Sequence, residues 1–183
     1  LPSRQAACEE FGLDPLKKTL LVMGGSQGAR RLNELVAEGT EGTTWQVLHL
    51  TGQADFKRLS EQVGKRNGYK ILAFCEGMAA AYAASDFCVA RSGASSLTEL
   101  SHAGLPALLV PFPFAADDHQ TANARVFEKA GAAVLTHEKD LEAKTITDML
   151  FELDDGSLES MSESMLNLAD PDAAAQIVNV IEG

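Results

Sequence analysis

Short apolar segments alternate with longer amphipathic segments along most of the chain, and this alternation restricts the possible folds more than any other feature. The apolar runs predict β-strands at about 18–23, 45–51, 69–74, 86–90, 106–111 and 132–136. The spacing of apolar residues predicts helices at about 28–38, 53–64, 78–84, 95–103, 118–130, 140–153, 157–169 and 172–182. Buried strands joined by crossover helices form parallel sheets. The pattern therefore predicts an α/β fold with a Rossmann-like, doubly wound parallel sheet of about six strands.

The chain has 183 residues, of which 45% are hydrophobic, enough for one domain with a substantial core. Residues 1–17 predict a lead-in helix and linker, and residues 18–183 predict a single Rossmann-like domain that includes the C-terminal helices. The first residue is leucine, so we expect the chain to be a fragment or a processed piece.

Composition excludes several classes of function. The formal net charge of −11 argues against broad electrostatic binding of nucleic acid. There is neither a secretory signal pattern nor a run of the ~20 apolar residues that a membrane span requires. Cys8, Cys75 and Cys88 are far apart and lack metal-ligand spacing, so we expect reduced thiols in a cytoplasmic protein.

A glycine-rich turn follows the first predicted strand, where residues 20–30 read Leu-Leu-Val-Met-Gly-Gly-Ser-Gln-Gly-Ala-Arg. Glycines let the backbone turn tightly and let a ligand approach the main chain. The first N–H groups of the next helix lack intrahelical partners and attract anions. Ser26 adds a hydroxyl donor. Such turns also connect strands to helices without binding anything, so the motif alone leaves phosphate binding open.

A second glycine turn follows the fourth predicted strand, where residues 91–99 read Arg-Ser-Gly-Ala-Ser-Ser-Leu-Thr-Glu. It offers another set of N–H groups, suited to the other end of a diphosphate. Glu99 lies inside the following helix, and its carboxylate can accept two hydrogen bonds from a ribose diol. The alternative is a solvent-facing or capping glutamate.

Ligands in doubly wound sheets bind outside the carboxyl ends of the strands, so the turns after residues 51, 74 and 111 are also candidates. The turn at Cys75 offers backbone groups that suit the edge of a pyrimidine base. Met78 offers a side chain that suits packing against the face of the base. The alternative for Met78 is a place in the core.

The segment after the fifth strand carries amide side chains near the start of a helix. Asp118 is a candidate N-cap. Gln120 and Asn123 are three residues apart and share a helix face, and their amides suit sugar hydroxyls. The alternative is a polar, solvent-facing helix surface. Asp117 and Asp118 are adjacent and would converge poorly on a metal ion.

Taken together and in this order, these motifs resemble the carboxyl-terminal half of the MurG family of bacterial glycosyltransferases. The family transfers N-acetylglucosamine from UDP-N-acetylglucosamine to lipid I, which makes lipid II for peptidoglycan. Besides Glu99, the matching stretches are Gly-Gly-Ser-Gln-Gly-Ala-Arg (24–30), Phe-Cys-Glu-Gly-Met-Ala-Ala-Ala-Tyr (74–82), Ser-Asp-Phe-Cys-Val-Ala-Arg-Ser-Gly-Ala (85–94), Ala-Gly-Leu-Pro-Ala (103–107), Asp-Asp-His-Gln-Thr-Ala-Asn-Ala (117–124) and Glu-Lys-Ala-Gly-Ala-Ala (128–133).

The resemblance implies a GT-B architecture, in which two Rossmann-like domains face each other across a cleft, with this chain as the donor-binding half. It implies that Glu99 holds the ribose, that the turn at Cys75 meets uracil through its backbone, and that Gln120 and Asn123 hold the N-acetylglucosamine hydroxyls. The remaining donor-site residues that it implies, mostly around the diphosphate, are Gly25, Ser26, Gln27, Met78, Arg91, Gly93, Ala94, Ser95 and Ser96. The alternative for Arg91 is a structural role.

The resemblance also implies what this chain lacks. The family's inverting reaction needs no metal or other cofactor, and its catalytic base, its lipid I site and its membrane-facing surface belong to the amino-terminal acceptor domain. The expected location of the enzyme is the cytoplasmic face of the bacterial inner membrane, as a peripheral protein. By itself, this chain is expected to bind UDP-N-acetylglucosamine weakly and to transfer nothing.

One other function stays open, and a second one is disfavoured. One alternative is the donor-binding half or subunit of a different UDP-sugar transferase that needs a separate acceptor-binding partner. A nicotinamide-dependent dehydrogenase is disfavoured because the first turn reads Gly-Gly-x-x-Gly rather than Gly-x-Gly-x-x-Gly, and because no acidic residue ends the second strand at 50–52.

Overall fold

One parallel sheet forms the centre of the molecule. The computed structural model describes residues 1–25, 29–113 and 119–169. Its strands are β1 (Thr19–Met23), β2 (Gln46–Leu50), β3 (Tyr69–Leu72), β4 (Phe87–Ala90), β5 (Ala107–Leu109) and β6 (Ala133–Leu135), in the order β3-β2-β1-β4-β5-β6. All strand pairs are parallel, which confirms the predicted doubly wound sheet of six strands.

Helices connect the strands close to the predicted positions. They are α1 (Arg4–Phe11), α2 (Arg30–Gly39), α3 (Gln53–Val63), α4 (Met78–Ala83), α5 (Ala94–Ala103), α6 (His119–Lys129), α7 (Ala143–Glu152) and α8 (Asp155–Asn167). The helix predicted from residue 140 begins later, because Glu138–Asp140 forms a separate 3-10 turn. The helix predicted at 172–182 lies outside the described residues.

Two layers of helices cover the sheet. Successive strand residues point to opposite faces, so Leu20 and Val22 pack with α2 and α7, whereas Leu21 packs with α1, α4 and α5. The lead-in helix α1 is part of this core: it buries Ala7, Cys8 and Phe11. Burial on both faces explains why the strands appear in the sequence as continuous apolar runs.

The strand order places the topological switch point between β1 and β4. From β1 the chain proceeds outward through β2 and β3, and it then returns to build β4, β5 and β6 on the other side of β1. In open α/β sheets this is where a crevice forms outside the carboxyl ends of the strands. Both glycine turns follow these two central strands.

A buried chain of hydrogen bonds joins α2 to β2, β3 and α3. The Asn33 amide nitrogen donates to the Thr51 carbonyl (3.1 Å) and to the Asp55 carboxylate (2.8 Å). Because both amide hydrogens are used, Asn33 Oδ1 accepts from His49 Nε2 at 3.0 Å. His49 Nδ1 in turn accepts from the Tyr69 hydroxyl at 2.7 Å. Burial lowers the pKa of His49 to about 3, so the imidazole is neutral at pH 7; with its one N–H on Nε2 directed at Asn33 Oδ1, its Nδ1 accepts from Tyr69.

This neutral histidine makes the free energy of unfolding depend on pH. An unfolded His49 binds a proton below about pH 6.5, whereas the folded protein resists protonation down to about pH 3. Acidification within that window therefore favours the unfolded state. We expect the stability advantage of wild type over His49→Gln to shrink by up to ~1.4 kcal/mol per pH unit between pH 6 and 4. Urea unfolding at several pH values measures this, and parallel curves for the two proteins would contradict it.

Candidate functional site

The first glycine turn packs directly onto the start of α2. A Cβ atom on Gly24 would lie 2.2 Å from the Ala29 Cβ and 3.3 Å from Asn33 Oδ1, so only glycine fits there. Gly25 has a φ of +81°, in the left-handed region that favours glycine. The buried Asn33 network thus lies immediately behind this turn. Ser26 and Gln27, which the sequence assigned to the same turn, lie outside the described residues.

The second glycine turn leads into α5 with an ordinary extended backbone. Gly93 has φ −67° and ψ 146°, and no described atom would lie within 4 Å of a Cβ there. The local fold therefore does not explain this glycine. Among the described side chains, none caps α5, and the helix begins with exposed Ala94 and Ser95 followed by half-buried Ser96. Among the residues that the structure describes, its first N–H groups therefore have no side-chain acceptor from a cap.

The two turns are neighbours. Met23 pairs with Ala90 in the register of β1 and β4, so the turns begin side by side. A Cβ on Gly25 would lie 3.7 Å from the Arg91 side chain. The turn after β5 joins the second glycine turn through the hydrogen bonds of Arg91 to the Val110 and Pro111 carbonyls. The structure thus brings three of the predicted turns together at the switch point, while those after β2 and β3 lie toward the β3 edge of the sheet.

Glu99 lies on α5, where its exposed carboxylate meets one buried donor. The Tyr82 hydroxyl of α4 donates to Glu99 Oε2 at 2.6 Å. The same hydroxyl lies 3.9 Å from the Met23 sulfur, at the carboxyl end of β1. This contact places the carboxylate at the same edge as the glycine turns. The sequence gives no signal for the pair, because a tyrosine in an alanine-rich helix is typical of a core residue.

Two side chains beside the turn after β3, those of Cys75 and Met78, pack toward the interior, whereas the other turn residues are exposed. Cys75 is buried, and burial raises the pKa of its thiol, which keeps it protonated and weakly nucleophilic. Met78, the first residue of α4, is half-buried and packs against the core cluster of α1, α4 and the sheet. In this structure, Met78 therefore takes the core position that the sequence left as an alternative.

Arg91 holds the segment that follows β5 in place through several hydrogen bonds. It is only 7% exposed, and its guanidinium donates to the carbonyls of Val110 (3.2 Å) and Pro111 (3.3 Å) and to the Glu138 carboxylate (2.5 Å). It also lies over the Phe112 ring, 5.5 Å from its centroid. These contacts give Arg91 a role in fixing the exit from β5, in line with the structural role that the sequence left as an alternative, although the motif did not show its partners.

The start of α6 is tied to the second glycine turn. The buried Ser92 hydroxyl donates to the Gln120 carbonyl at 2.7 Å, and the Asn123 amide donates to the Ser92 carbonyl at 3.4 Å. Gln120 Oε1 accepts from the Phe112 N–H at 2.9 Å. Gln120 and Asn123 are both half-buried and lie beside the turn, rather than on a remote solvent-facing surface. Asp117 and Asp118 lie outside the described residues.

The guanidinium of Arg91 should be hard to replace. A lysine keeps the charge but cannot serve the carboxylate and both carbonyls in one planar fork. We expect Arg91→Lys to lower the free energy of unfolding by about 1–3 kcal/mol, because buried acceptors lose their donor. Chemical denaturation measures this loss. Arg30→Lys is the matched control, since Arg30 pairs with Glu34 at the exposed surface and should change stability by less than ~0.5 kcal/mol. Equal effects of the two substitutions on the free energy of unfolding would contradict this structural role of Arg91.

Other site chemistry is sparse in the part of the chain that the structure describes. Across residues 1–25, 29–113 and 119–169, no group of three His, Cys, Asp or Glu side chains is arranged to hold a metal ion. All three cysteines are buried free thiols. None of the described helices is both long enough and apolar enough to cross a membrane.

Comparison with known sequences gives a consistent family. The model of the glycosyltransferase family 28 C-terminal domain matches residues 19–177. A UDP-N-acetylglucosamine--N-acetylmuramyl-(pentapeptide) pyrophosphoryl-undecaprenol N-acetylglucosamine transferase of Thiobacillus denitrificans is 42% identical over 176 residues, which cover 89% of this chain and 46% of the relative. The enzyme of the same name from Chlorobium limicola is 40% identical over 185 residues, covering 99% of this chain and 51% of the relative. The chain thus spans about half the length of these relatives.

Solved structures show the same fold. The crystal structure of Acinetobacter baumannii MurG matches with a TM-score of 0.79 and 30% identity, covering 91% of this chain and 52% of that one. WaaG, a glycosyltransferase involved in lipopolysaccharide biosynthesis, matches with a TM-score of 0.68 at 18% identity, covering 93% of this chain and 48% of that one. The chain therefore has the fold of one Rossmann-like half of a GT-B glycosyltransferase, as the sequence led us to expect.

Proposed function

The chain belongs to glycosyltransferase family 28 as a C-terminal domain of that family, and we propose on this premise that it is the donor-binding half of a UDP-N-acetylglucosamine transferase. One observation carries the proposal: two glycine turns lie side by side at the switch point, with the Glu99 carboxylate at the same edge. A nucleoside diphosphate needs these features, namely N–H groups for its phosphates and a carboxylate for its ribose.

The diphosphate is assigned to the second glycine turn and the start of α5. The first N–H groups of a helix are unpaired donors, and the helix dipole adds partial positive charge there. No atom of the described residues would lie within 4 Å of a Cβ at Gly93, which supports a close approach of phosphate oxygens to the backbone. We assign the first glycine turn to the same diphosphate site because of its sequence, Gly25, Ser26 and Gln27. The same N–H groups would stabilise the charge on departing UDP, so the proposal gives this task to the backbone rather than to a metal ion.

The sugars and the base are assigned to the surrounding turns. Glu99 accepts hydrogen bonds from the ribose diol, for which a carboxylate has enough lone pairs. Gln120 and Asn123 lie beside the second turn and are assigned to the N-acetylglucosamine hydroxyls. The backbone of the turn at Cys75 is assigned to uracil.

The complete reaction needs an acceptor domain. The relatives named above are about twice as long as this chain and are named as transferases to an N-acetylmuramyl-(pentapeptide) pyrophosphoryl-undecaprenol acceptor. We infer that this chain works with such a domain, which would supply the base, bind lipid I and contact the cytoplasmic face of the membrane. Direct displacement by the acceptor hydroxyl would invert the anomeric centre and release UDP, as a step in peptidoglycan synthesis.

Glu99 should contribute to nucleotide binding but not to diphosphate binding. We expect the chain to bind UDP in titration calorimetry with EDTA present, and Glu99→Ala to weaken this binding at least about tenfold, which corresponds to the loss of one hydrogen bond to a charged group. Binding of inorganic diphosphate should stay the same or tighten slightly, because the substitution removes a negative charge.

Several results would count against this proposal. Equal losses for UDP and diphosphate would refute the ribose assignment to Glu99. Absence of heat with millimolar UDP, from a chain shown to be folded by circular dichroism, would refute donor binding. Binding that appears only after Mg²⁺ replaces EDTA would refute the assignment of the diphosphate charge to the backbone. Preference for another UDP-sugar in a competition series would change the assigned donor.

Adding a single methyl group at Gly93 tests whether the diphosphate binds at the second glycine turn. A Cβ at this position meets no described protein atom, but Gly93 is the N-cap of α5, where alanine is less favourable than glycine, so Gly93→Ala should lower the free energy of unfolding by no more than about 1 kcal/mol. It should nevertheless weaken UDP about tenfold, since a methyl group would displace phosphate from the backbone. Gly156→Ala on α8 is the control, because its φ is also outside the left-handed region and the nearest described atom to a Cβ there would be Asp154 Oδ1, at an ordinary contact distance of 3.7 Å. Unchanged UDP affinity in Gly93→Ala would contradict the assignment.

A further inference from the structure

The contact between Tyr82 and Glu99 joins a buried donor to an exposed acceptor. Tyr82 is 7% exposed, whereas Glu99 belongs to the exposed surface of α5. The tyrosine hydroxyl reaches the carboxylate over 2.6 Å, and it also lies next to the sulfur of Met23. Helix α4 connects β3 to β4 and so passes β1, which is how a residue of α4 reaches the switch point.

The direction of this hydrogen bond is fixed. Burial raises the pKa of Tyr82, and the hydrogen bond to Glu99 raises it further, so the phenol stays protonated and donates. Glu99 Oε2 accepts. A carboxylate has about four lone-pair sites, so Oε1 and the remaining site of Oε2 stay available to a diol.

The contact also restricts a flexible side chain. An exposed glutamate side chain that becomes ordered on binding loses rotamer freedom, and this loss opposes binding. Within the described residues, Tyr82 is the one hydrogen-bond partner of the Glu99 side chain. A rigid, buried partner holds the carboxylate before the ligand arrives, which lowers the entropic cost of binding.

We propose that Tyr82 is a positioning residue that orients the Glu99 carboxylate for the ribose and thereby makes the chain select ribonucleotides over 2′-deoxyribonucleotides. This inference rests on the proposed function. Tyr82 does not touch the nucleotide itself, and it acts through Glu99 alone. Removal of its hydroxyl therefore matters only while the Glu99 carboxylate is present.

The test is a double-mutant cycle that uses two ligands. Affinities for UDP and 2′-deoxy-UDP are measured by calorimetry on wild type, Tyr82→Phe, Glu99→Ala and the double variant. We expect wild type to prefer UDP and Tyr82→Phe to reduce that preference about threefold to tenfold. We expect the double variant to bind both ligands as Glu99→Ala does, because residues that act as one unit are not additive.

A second tyrosine provides the control. Tyr69→Phe also removes a hydrogen-bonded hydroxyl, the donor to His49, at the amino end of β3. Tyr69 belongs to the network behind the first glycine turn and not to the Glu99 contact, so any effect through that turn should change the affinities for UDP and 2′-deoxy-UDP equally. The substitution should lower thermal stability and leave the preference for UDP unchanged. This separates loss of a structural hydrogen bond from loss of carboxylate orientation.

The outcomes distinguish the inference from the proposed function. If wild type binds UDP and Glu99→Ala weakens it, but Tyr82→Phe keeps the wild-type preference, the positioning role is overturned and donor binding stands. If Tyr82→Phe weakens UDP equally with and without Glu99, Tyr82 acts through packing, and the inference is again overturned. If wild type does not bind UDP, the proposed function is refuted and the inference with it.

Discussion

The site depends on the parallel register of β1 against β4, which pairs Met23 with Ala90. Helices cover both faces of these strands, so Leu21 and its neighbours Leu20 and Val22 are packed into opposite layers of the core. A shift of one residue would exchange those layers and is therefore strongly disfavoured. Because this register aligns the carboxyl ends of the two strands, the turns that begin at Gly24 and Arg91 must lie side by side.

Polar contacts then join the surrounding elements to this pair of turns. The Asn33 network supports the first turn from behind, and Ser92 holds the start of α6 against the second. Arg91 holds the segment that leaves β5, and the hydrogen bond from Tyr82 holds the Glu99 carboxylate at the same edge of the sheet. Elements that are distant in sequence thus meet at one edge of the sheet. A ligand with separate phosphate and sugar parts suits such a site.

The sequence predicted the elements well, because their signals are local. Each strand lies within the predicted apolar run, and each described helix that was predicted lies within three residues of its predicted bounds. The same holds for the glycine turns, whose composition reflects tight backbone geometry. The interactions of Arg91 and Tyr82 were not predictable, because each joins residues at least 17 apart whose spacing follows no helical or strand period. His49 similarly looked like any strand residue until its buried partners were known.

By itself, the sequence determined the parallel α/β class, the positions of the turns and the family to which the motifs belong. Periodicity, glycine placement and motif order are properties of neighbouring residues, so the linear chain contains them. Only the tertiary structure decided that β1 and β4 are adjacent, that Met78 packs into the core and that Glu99 has a buried donor. Strand order and side-chain pairing between helices arise from packing both faces of the sheet at once, and that packing involves the whole core rather than any one segment.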